Sequence, residues 1–256
     1  MKSLAIITGG TSGIGLATAE RLVDRYHLLL IYRERHQRAQ EAAQKLSALS
    51  PSTKVHVFAC DISRPESAKL ICDEAGKTYS CEIEVLINSA GRSQSTLFIQ
   101  TDPKLIEEIL NVHLYGMMRL TQEVLFGMYR RRYGRIINIS SMACYGENRG
   151  LSVYASAKAG VESFTKALST EVFHRGININ AIRPGFVRTP MTEELLSAVE
   201  STELRSTSLA SVVDLIIYLL SPEANRISGR ILEIESLERK SSPLTAKDHV
   251  RKSKGK

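Results

Sequence analysis

A chain of 256 residues, 43% of them hydrophobic, is long enough for one large α/β domain with a substantial core. No stretch approaches the ~20 apolar residues of a membrane span, and the N-terminus lacks the basic and apolar segments of a signal peptide. The net charge is +7, and the four cysteines have neither CxxC nor metal-ligand spacing, so we expect free thiols in a cytoplasmic protein.

Apolar runs alternate along the chain with stretches of helical periodicity. The predicted strands are 4–7, 28–32, 55–59, 84–88, 135–140, 178–182 and 230–234. The predicted helices are 15–24, 38–49, 67–78, 104–129, 153–174 and 209–220. This alternation predicts a parallel sheet with helices on both faces and right-handed crossovers.

The first predicted strand runs into a glycine-rich turn that precedes the first predicted helix. The turn contains Gly9, Thr11, Ser12, Gly13, Ile14 and Gly15. Glycines let a backbone approach a pyrophosphate, and a helix N-terminus offers unpaired N–H groups, so this context suits a dinucleotide. The spacing is GxxxGxG rather than the commoner GxGxxG, and a tight turn without a ligand is the alternative.

A serine, a tyrosine and a lysine form a second pattern. Tyr154 and Lys158 are four residues apart on a predicted helix and therefore share one face. A lysine ammonium beside a phenol favours the phenolate and lowers the tyrosine pKa, and the hydroxyl of Ser141 can bind a carbonyl oxygen that gains charge. A solvated helical pair is the alternative, but together with the glycine turn the pattern predicts a proton-transfer site.

These motifs resemble, in order and spacing, those of the single-domain short-chain dehydrogenases/reductases. The resemblance covers about residues 2–232, and its motifs are Thr8-Gly9…Gly13-Ile14-Gly15, Asp61-Ile62, Asn88-Ser89-Ala90-Gly91, Ser141…Tyr154…Lys158 and Arg183-Pro184-Gly185-Phe186-Val187-Arg188-Thr189. It implies a Rossmann-like doubly wound α/β fold with seven strands in the order 3-2-1-4-5-6-7. One catalytic domain over 1–236 is then expected, with ligands at the carboxyl ends of the strands.

The resemblance also implies cofactor contacts outside the glycine turn. The residues at the matching positions are Asp61, Ile62, Asn88, Ala90, Gly91, Tyr154, Lys158, Pro184, Gly185, Val187 and Thr189. Asn88 is expected to brace the sheet as well. The polar members of this set can alternatively be cap or turn residues, which is a common role for Asp, Asn and Thr.

The end of the second predicted strand bears on the choice of cofactor. Family members that use NAD carry an aspartate where this chain has Tyr32, and Arg33 follows, which can form a forked bond to a 2′-phosphate. Many NADP-dependent members carry a basic residue where this chain has Ser12, which counts against NADP. We predict NADP(H) in preference to NAD(H); an ordinary surface role for Arg33 is the alternative.

The implied reaction is hydride transfer between NADP(H) and a carbonyl or secondary alcohol. Tyr154 would donate the proton in reduction, Lys158 would lower its pKa and bind the nicotinamide ribose, and Ser141, selected by its spacing over Ser140 and Ser152, would position the carbonyl. A small or medium ketone, 3-oxoacyl-type or sugar-like, is expected, because 192–207 lacks a large apolar insert. The alternative is a catalytically weak cofactor sensor or scaffold.

The largest departure from the family pattern lies in the helix predicted at 104–129. Family members usually carry an asparagine there that opens a kink and holds a water linked to the lysine, and here His113 takes that position. Histidine moves protons near neutral pH, so we expect His113 to replace the asparagine in the relay. The alternatives are that His113 only caps a local bend, or that Asn111 serves through a register shift.

The second departure is the C-terminus, which lacks the glycine pair that usually follows the last strand. Residues 237–256 contain seven Lys or Arg against two Asp or Glu, so we predict a basic, disordered tail. Contact of this tail with nucleic acid or membrane is possible, but a solvated extension is preferred. The resemblance implies a homotetramer or homodimer built on the helices predicted at 104–129 and 153–174.

Overall fold

Seven parallel strands form one sheet in the order β3-β2-β1-β4-β5-β6-β7 in the computed structural model, which describes residues 2–92, 95–146, 149–189 and 207–234. The strands are β1 (Leu4–Thr8), β2 (His27–Tyr32), β3 (Val55–Ala59), β4 (Ile83–Asn88), β5 (Gly134–Ile139), β6 (Ile177–Pro184) and β7 (Ile231–Ile234). The predicted fold class and strand order are confirmed. The tail at 237–256 and the predicted domain boundary at 236 lie outside the described residues.

Helices connect the strands on both faces of the sheet. They are α1 (Gly13–Leu22), α2 (His36–Leu49), α3 (Ser67–Thr78), α4 (Pro103–Leu110), α5 (Gly116–Arg131), α6 (Ser152–Val172) and α7 (Leu209–Leu219). None of the helices in the described ranges is long and apolar enough to cross a membrane. All four cysteines are free thiols, as their spacing predicts.

The strands form because their side chains alternate between two apolar layers. Ala5 and Ile7 of β1 pack on one face with residues of α1 and α7, and Leu4 and Ile6 pack on the other with residues of α3, α5 and α6. Strands buried on both faces are apolar throughout, and all five residues of β1 are buried. The carboxyl ends of the parallel strands therefore meet at one edge, where the predicted motifs lie.

The helix predicted over 104–129 is interrupted. Asp102 caps the start of α4 by accepting a hydrogen bond from the N–H of Lys104, and a π-helical turn at Asn111–Tyr115 separates α4 from α5. The helix passes very close to the β3–α3 connection, because a Cβ on Gly116 would lie 2.3 Å from the carbonyl oxygen of Ile62. A π-helical turn contains one more residue than an α-helical turn. The apolar periodicity continues through α4 and α5, so periodicity alone does not predict this insertion.

Candidate active site

A cleft of about 880 Å³ runs along the carboxyl edge of the sheet, from the residues after β3 to the residues after β6. It gathers predicted site residues from most of the chain. Those that line it are Gly9, Thr11, Ser12, Gly13, Ile14, Arg33, Asp61, Ile62, Ala90, Gly91, His113, Ser141, Tyr154, Lys158, Pro184, Gly185, Val187 and Thr189. Gly15 and Asn88 are not part of the lining.

The glycine turn brings backbone close to the cleft. Gly9 has φ +66° and Gly13 has φ +51°, a left-handed conformation that favours glycine. A Cβ on Gly15 would lie 2.4 Å from the carbonyl oxygen of Gly9, so only glycine lets the turn pack on α1. Ser12 precedes α1 without a side-chain capping bond, which leaves the first turn of the helix available to an anionic ligand.

The motif after β4 braces the sheet edge. Asn88 donates hydrogen bonds from Nδ2 to Oδ1 of Asn138 at 2.8 Å and to Oγ1 of Thr121 at 3.2 Å. The hydroxyl of Thr8 accepts bonds from the N–H groups of Ser89 and Ala90, each at 3.1 Å. The turn is therefore held to both neighbouring strands, β1 and β5, and Asn88 acts here as a brace.

The end of the cleft beside β2 is basic. Arg33 is about half exposed and forms an ion pair with Glu34 at 2.8 Å. Arg35 and Arg38 also line the cleft, and neither is predicted as a site residue from the sequence. Arg35 has φ +63° and lies directly before α2, which begins two residues earlier than predicted and has Arg38 in its first turn.

Ser141, Tyr154 and Lys158 meet at the other end of the cleft. The Nζ of Lys158 donates a hydrogen bond to the carbonyl oxygen of Ile139 at 2.6 Å and lies 5.8 Å from the centroid of the Tyr154 ring. The hydroxyl of Ser141 interacts with the Tyr154 phenol and accepts a bond from the N–H of Ala143 at 3.2 Å. The strand end of β5 and the face of α6 thus assemble the predicted group.

Burial dominates the protonation of this group. It raises the pKa of Tyr154 to about 12, and the bond with Ser141 offsets this only in part. It lowers the pKa of Lys158 to about 8. The prediction of a lowered tyrosine pKa is therefore wrong for the protein chain by itself, because the loss of solvation raises the pKa of the phenol by more than the bond with Ser141 lowers it.

His113 lies in the π-helical turn and contacts the reacting group. Its ring is edge-on to the ring of Tyr154, with centroids 5.0 Å apart, and its Nε2 is 2.9 Å from the carbonyl oxygen of Arg92. Its Nδ1 is buried with no hydrogen-bond partner among the described residues. Gly91 makes room for the ring, because a Cβ there would lie 2.5 Å from Cε1. Asn111, the alternative, does not line the cleft.

The protonation state of His113 differs from the expectation. Burial, together with the charge of Lys158, lowers the pKa of His113 to about 3. The ring is therefore neutral across the neutral pH range, and the idea that it moves protons by titrating near pH 7 is wrong. A neutral imidazole still has one donor and one acceptor nitrogen.

Comparison with known proteins identifies the family. The sequence model described as short chain dehydrogenase matches residues 3–200. The chain belongs to the short-chain dehydrogenase/reductase family. It is 32% identical over 238 residues to a 3-oxoacyl-acyl-carrier-protein reductase of Vibrio harveyi, covering 90% of this chain and 95% of the relative. It is 31% identical to carbonyl reductase family member 4 of Danio rerio, covering 92% and 97%.

Solved structures agree with this assignment. An actinorhodin polyketide ketoreductase variant with NADPH superposes with a TM-score of 0.82 at 26% identity, covering 91% of this chain and 95% of that one. The acetoin dehydrogenase of Salmonella typhimurium superposes with a TM-score of 0.78 at 25% identity, over the same shares. The chain is therefore similar to oxidoreductases along nearly its whole length.

A buried ion pair beside the site is absent from the predicted site residues. Glu162, one turn beyond Lys158 on α6, accepts hydrogen bonds from Nε and Nη2 of Arg183 at 2.8 and 2.6 Å, and from the hydroxyl of Ser140 at 2.7 Å. Arg183 also binds Glu233 of β7 at 3.1 Å. The spacing of four residues from Lys158 puts Glu162 on the site-facing side of α6. Its partners come from β6 and from the residue after β5, so the spacing alone does not predict the ion pair.

Proposed function

We propose that this chain is an NADP(H)-dependent carbonyl reductase that acts on a small or medium ketone. The observation that carries the proposal is the meeting of Ser141, Tyr154 and Lys158 in the same cleft as the glycine turn. The relatives include a 3-oxoacyl reductase and a carbonyl reductase, which supports ketone reduction. A 3-oxoacyl-type ketone is therefore the first substrate to test.

The residues divide the chemistry between them. NADPH bound along the cleft would supply the hydride that the carbonyl carbon accepts. Tyr154 donates its phenolic proton to the carbonyl oxygen, and Ser141 donates a hydrogen bond to the same oxygen. Lys158, anchored on the carbonyl oxygen of Ile139, supplies the positive charge that stabilises the phenolate left behind.

Absorbance at 340 nm tests the activity directly. The protein is mixed with NADPH and a panel of diketones and 3-oxo esters, and NADPH oxidation is followed. We expect oxidation with at least one member of the panel. NADPH binding without oxidation on any substrate would instead favour the cofactor-sensing alternative.

Arg33 is proposed to select NADP(H) by binding its 2′-phosphate, with Arg35 and Arg38 adding positive charge at the same end of the cleft. We expect Arg33→Ala to raise the Kd for NADPH about tenfold, because a charge-assisted bond is lost, and to leave the Kd for NADH nearly unchanged. Titration of the variant with both nucleotides measures the two constants.

Arg21→Ala is the matched control for this experiment, because Arg21 is an exposed arginine paired with Asp214 and does not line the cleft. It removes the same charge and should leave both constants at the wild-type values. Full NADP preference in the Arg33 variant would remove the argument for this residue.

His113 is proposed to serve the proton relay as a neutral donor and acceptor. Its Nε2 is already engaged, since it lies 2.9 Å from the Arg92 carbonyl oxygen and 3.2 Å from the Arg92 backbone nitrogen, so its buried Nδ1 is the nitrogen left for a further hydrogen bond. We expect His113→Ala to lower kcat about tenfold, toward the small end of proton-transfer effects. His113→Asn, which restores a side chain with both a donor and an acceptor, should recover most of the loss.

The measurement is kcat across pH 5 to 9 for the wild type and both variants. Because the pKa of His113 is about 3, the loss in the alanine variant should have the same size at every pH in this range. Identical kcat values in the wild type and His113→Ala would exclude His113 from the relay.

A further inference from the structure

The ring of Tyr145 rests on a guanidinium group at the substrate end of the cleft. The Cζ of Arg183 lies 3.9 Å from the ring centroid, which is close for a cation–π contact. Tyr145 lines the cleft together with Ser141, yet 67% of the residue is exposed. One face of the ring is therefore covered by Arg183, and much of the remaining surface is open to a ligand.

The guanidinium beneath the ring is fixed in place. Arg183 is only 7% exposed, and Glu162 binds it through two parallel bonds, the geometry in which arginine–carboxylate pairs are strongest. Glu233 adds a third bond from β7. Moving the Arg183 guanidinium, on which the Tyr145 ring rests, would break a buried ion pair. The position of this guanidinium under the ring is therefore fixed by the core of the protein.

Several apolar side chains line the same cleft as Tyr145, and Arg92 lines it as well. Met142 directly follows Ser141, Leu151 lies three residues before Tyr154, and Phe186 follows Gly185. Among the described lining residues the acidic side chains are Glu34 and Asp61, which follow β2 and β3 at the other end. A flat apolar group bound next to the carbonyl would be desolvated by these side chains and would stack on the open face of the ring.

We propose that Tyr145 is a specificity-determining residue, with Arg183 as its positioning residue, and that it selects ketones carrying an aromatic or other flat apolar group beside the reacting carbonyl. The inference rests on the proposed ketone reductase function and names the substrate class of that site. We call Tyr145 and the apolar side chains of the cleft, Met142, Leu151 and Phe186, the wall. A sugar-like ketone, which the sequence analysis retains as a candidate substrate, is disfavoured by this wall because its hydroxyl groups would lose solvent there.

Two esters that differ only at the ketone test the proposal. Ethyl acetoacetate carries a methyl group on the reacting carbonyl and ethyl benzoylacetate carries a phenyl group. We expect Tyr145→Ala to lower the ratio of kcat/KM for the phenyl ester to that for the methyl ester about tenfold, mainly through KM. Tyr145→Phe, which keeps the ring, should retain the wild-type ratio.

Tyr133→Ala is the matched control, because Tyr133 is also an exposed tyrosine stacked on a buried arginine, Arg135, but lies outside the cleft. It should leave the ratio unchanged. Arg183→Lys keeps a positive charge for Glu162 but loses the planar stack, and should lower the ratio in the same direction as Tyr145→Ala. An unchanged ratio in Tyr145→Ala would overturn the proposal.

A binding measurement separates this inference from the proposed function. If the wild type oxidises NADPH with neither ester, ketone reduction of this class fails, and calorimetric titration of the wild-type NADPH complex with both esters then decides the role of the wall. Tighter binding of the phenyl ester that is lost in Tyr145→Ala supports the wall, and equal binding of the two esters overturns it.

Discussion

Replacing Tyr154 with phenylalanine is expected to lower NADPH-dependent ketone reduction by about a thousandfold, within the usual range for loss of a general acid. The substitution removes one hydroxyl and leaves the ring that packs edge-on against His113. Without the phenolic hydroxyl, the substrate carbonyl oxygen loses its proposed proton donor, and Lys158 is held on the carbonyl oxygen of Ile139. Steady-state kinetics at saturating NADPH measure the loss.

Cofactor binding provides the internal control for this experiment. The Kd for NADPH should change little in Tyr154→Phe, since the glycine turn and the arginines after β2 are untouched. Tyr133→Phe removes a phenolic hydroxyl outside the cleft and should keep full activity. Turnover near the wild-type rate in Tyr154→Phe would show that another group donates the proton, and the assignment of Tyr154 would fail.

Replacing Glu162 with glutamine is expected to destabilise the fold by on the order of 3 kcal/mol, because it leaves the buried Arg183 guanidinium with only the more exposed Glu233 as a counter-charge. For a chain of this length that loss corresponds to a fall in Tm of about 6 to 12 °C. Thermal unfolding followed by circular dichroism measures it. The same substitution weakens the bond that holds Ser140 next to Ser141, so activity should fall as well.

The pH dependence of stability gives a second test of this pair. Burial pushes the pKa of Glu162 upward, but the hydrogen bonds from Arg183 and Ser140 outweigh it, and the net pKa is lowered from 4.5. The carboxylate therefore contributes stability above about pH 4.5 that is lost as the pH falls through its folded-state pKa. The difference in Tm between the wild type and Glu162→Gln should shrink over this range.

The exposed pair of Arg21 and Asp214 is the control for the buried one. Its atoms are as close, at 2.7 Å, but both side chains are more than half exposed, so Asp214→Asn should cost less than ~1 kcal/mol. Equal losses in Glu162→Gln and Asp214→Asn would contradict the view that burial makes the Glu162 pair important.

Much of the fold follows from local patterns in the chain. Each strand is a short apolar run, and the predicted ends of the seven strands differ from the observed ends by at most two residues. The geometry of the glycine turn and of the Tyr154–Lys158 pair can be predicted from the sequence, because a turn conformation and a helix face are set by neighbouring residues. The fold class and the edge that holds the site were therefore predictable from these patterns, and the strand order was implied by the family resemblance.

Other features of the site arise only when distant segments pack together. Apolar periodicity alone does not reveal the π-helical turn that brings His113 against Tyr154, although the family resemblance implies a kink at this position. Glu162 and Arg183 are 21 residues apart on different elements. The raised pKa of Tyr154 likewise depends on how much water the folded chain excludes. Sequence patterns determine the conformations of short segments, whereas burial and contacts between α6, β6 and β7 are set by tertiary packing, because solvation of a group depends on all the chain around it.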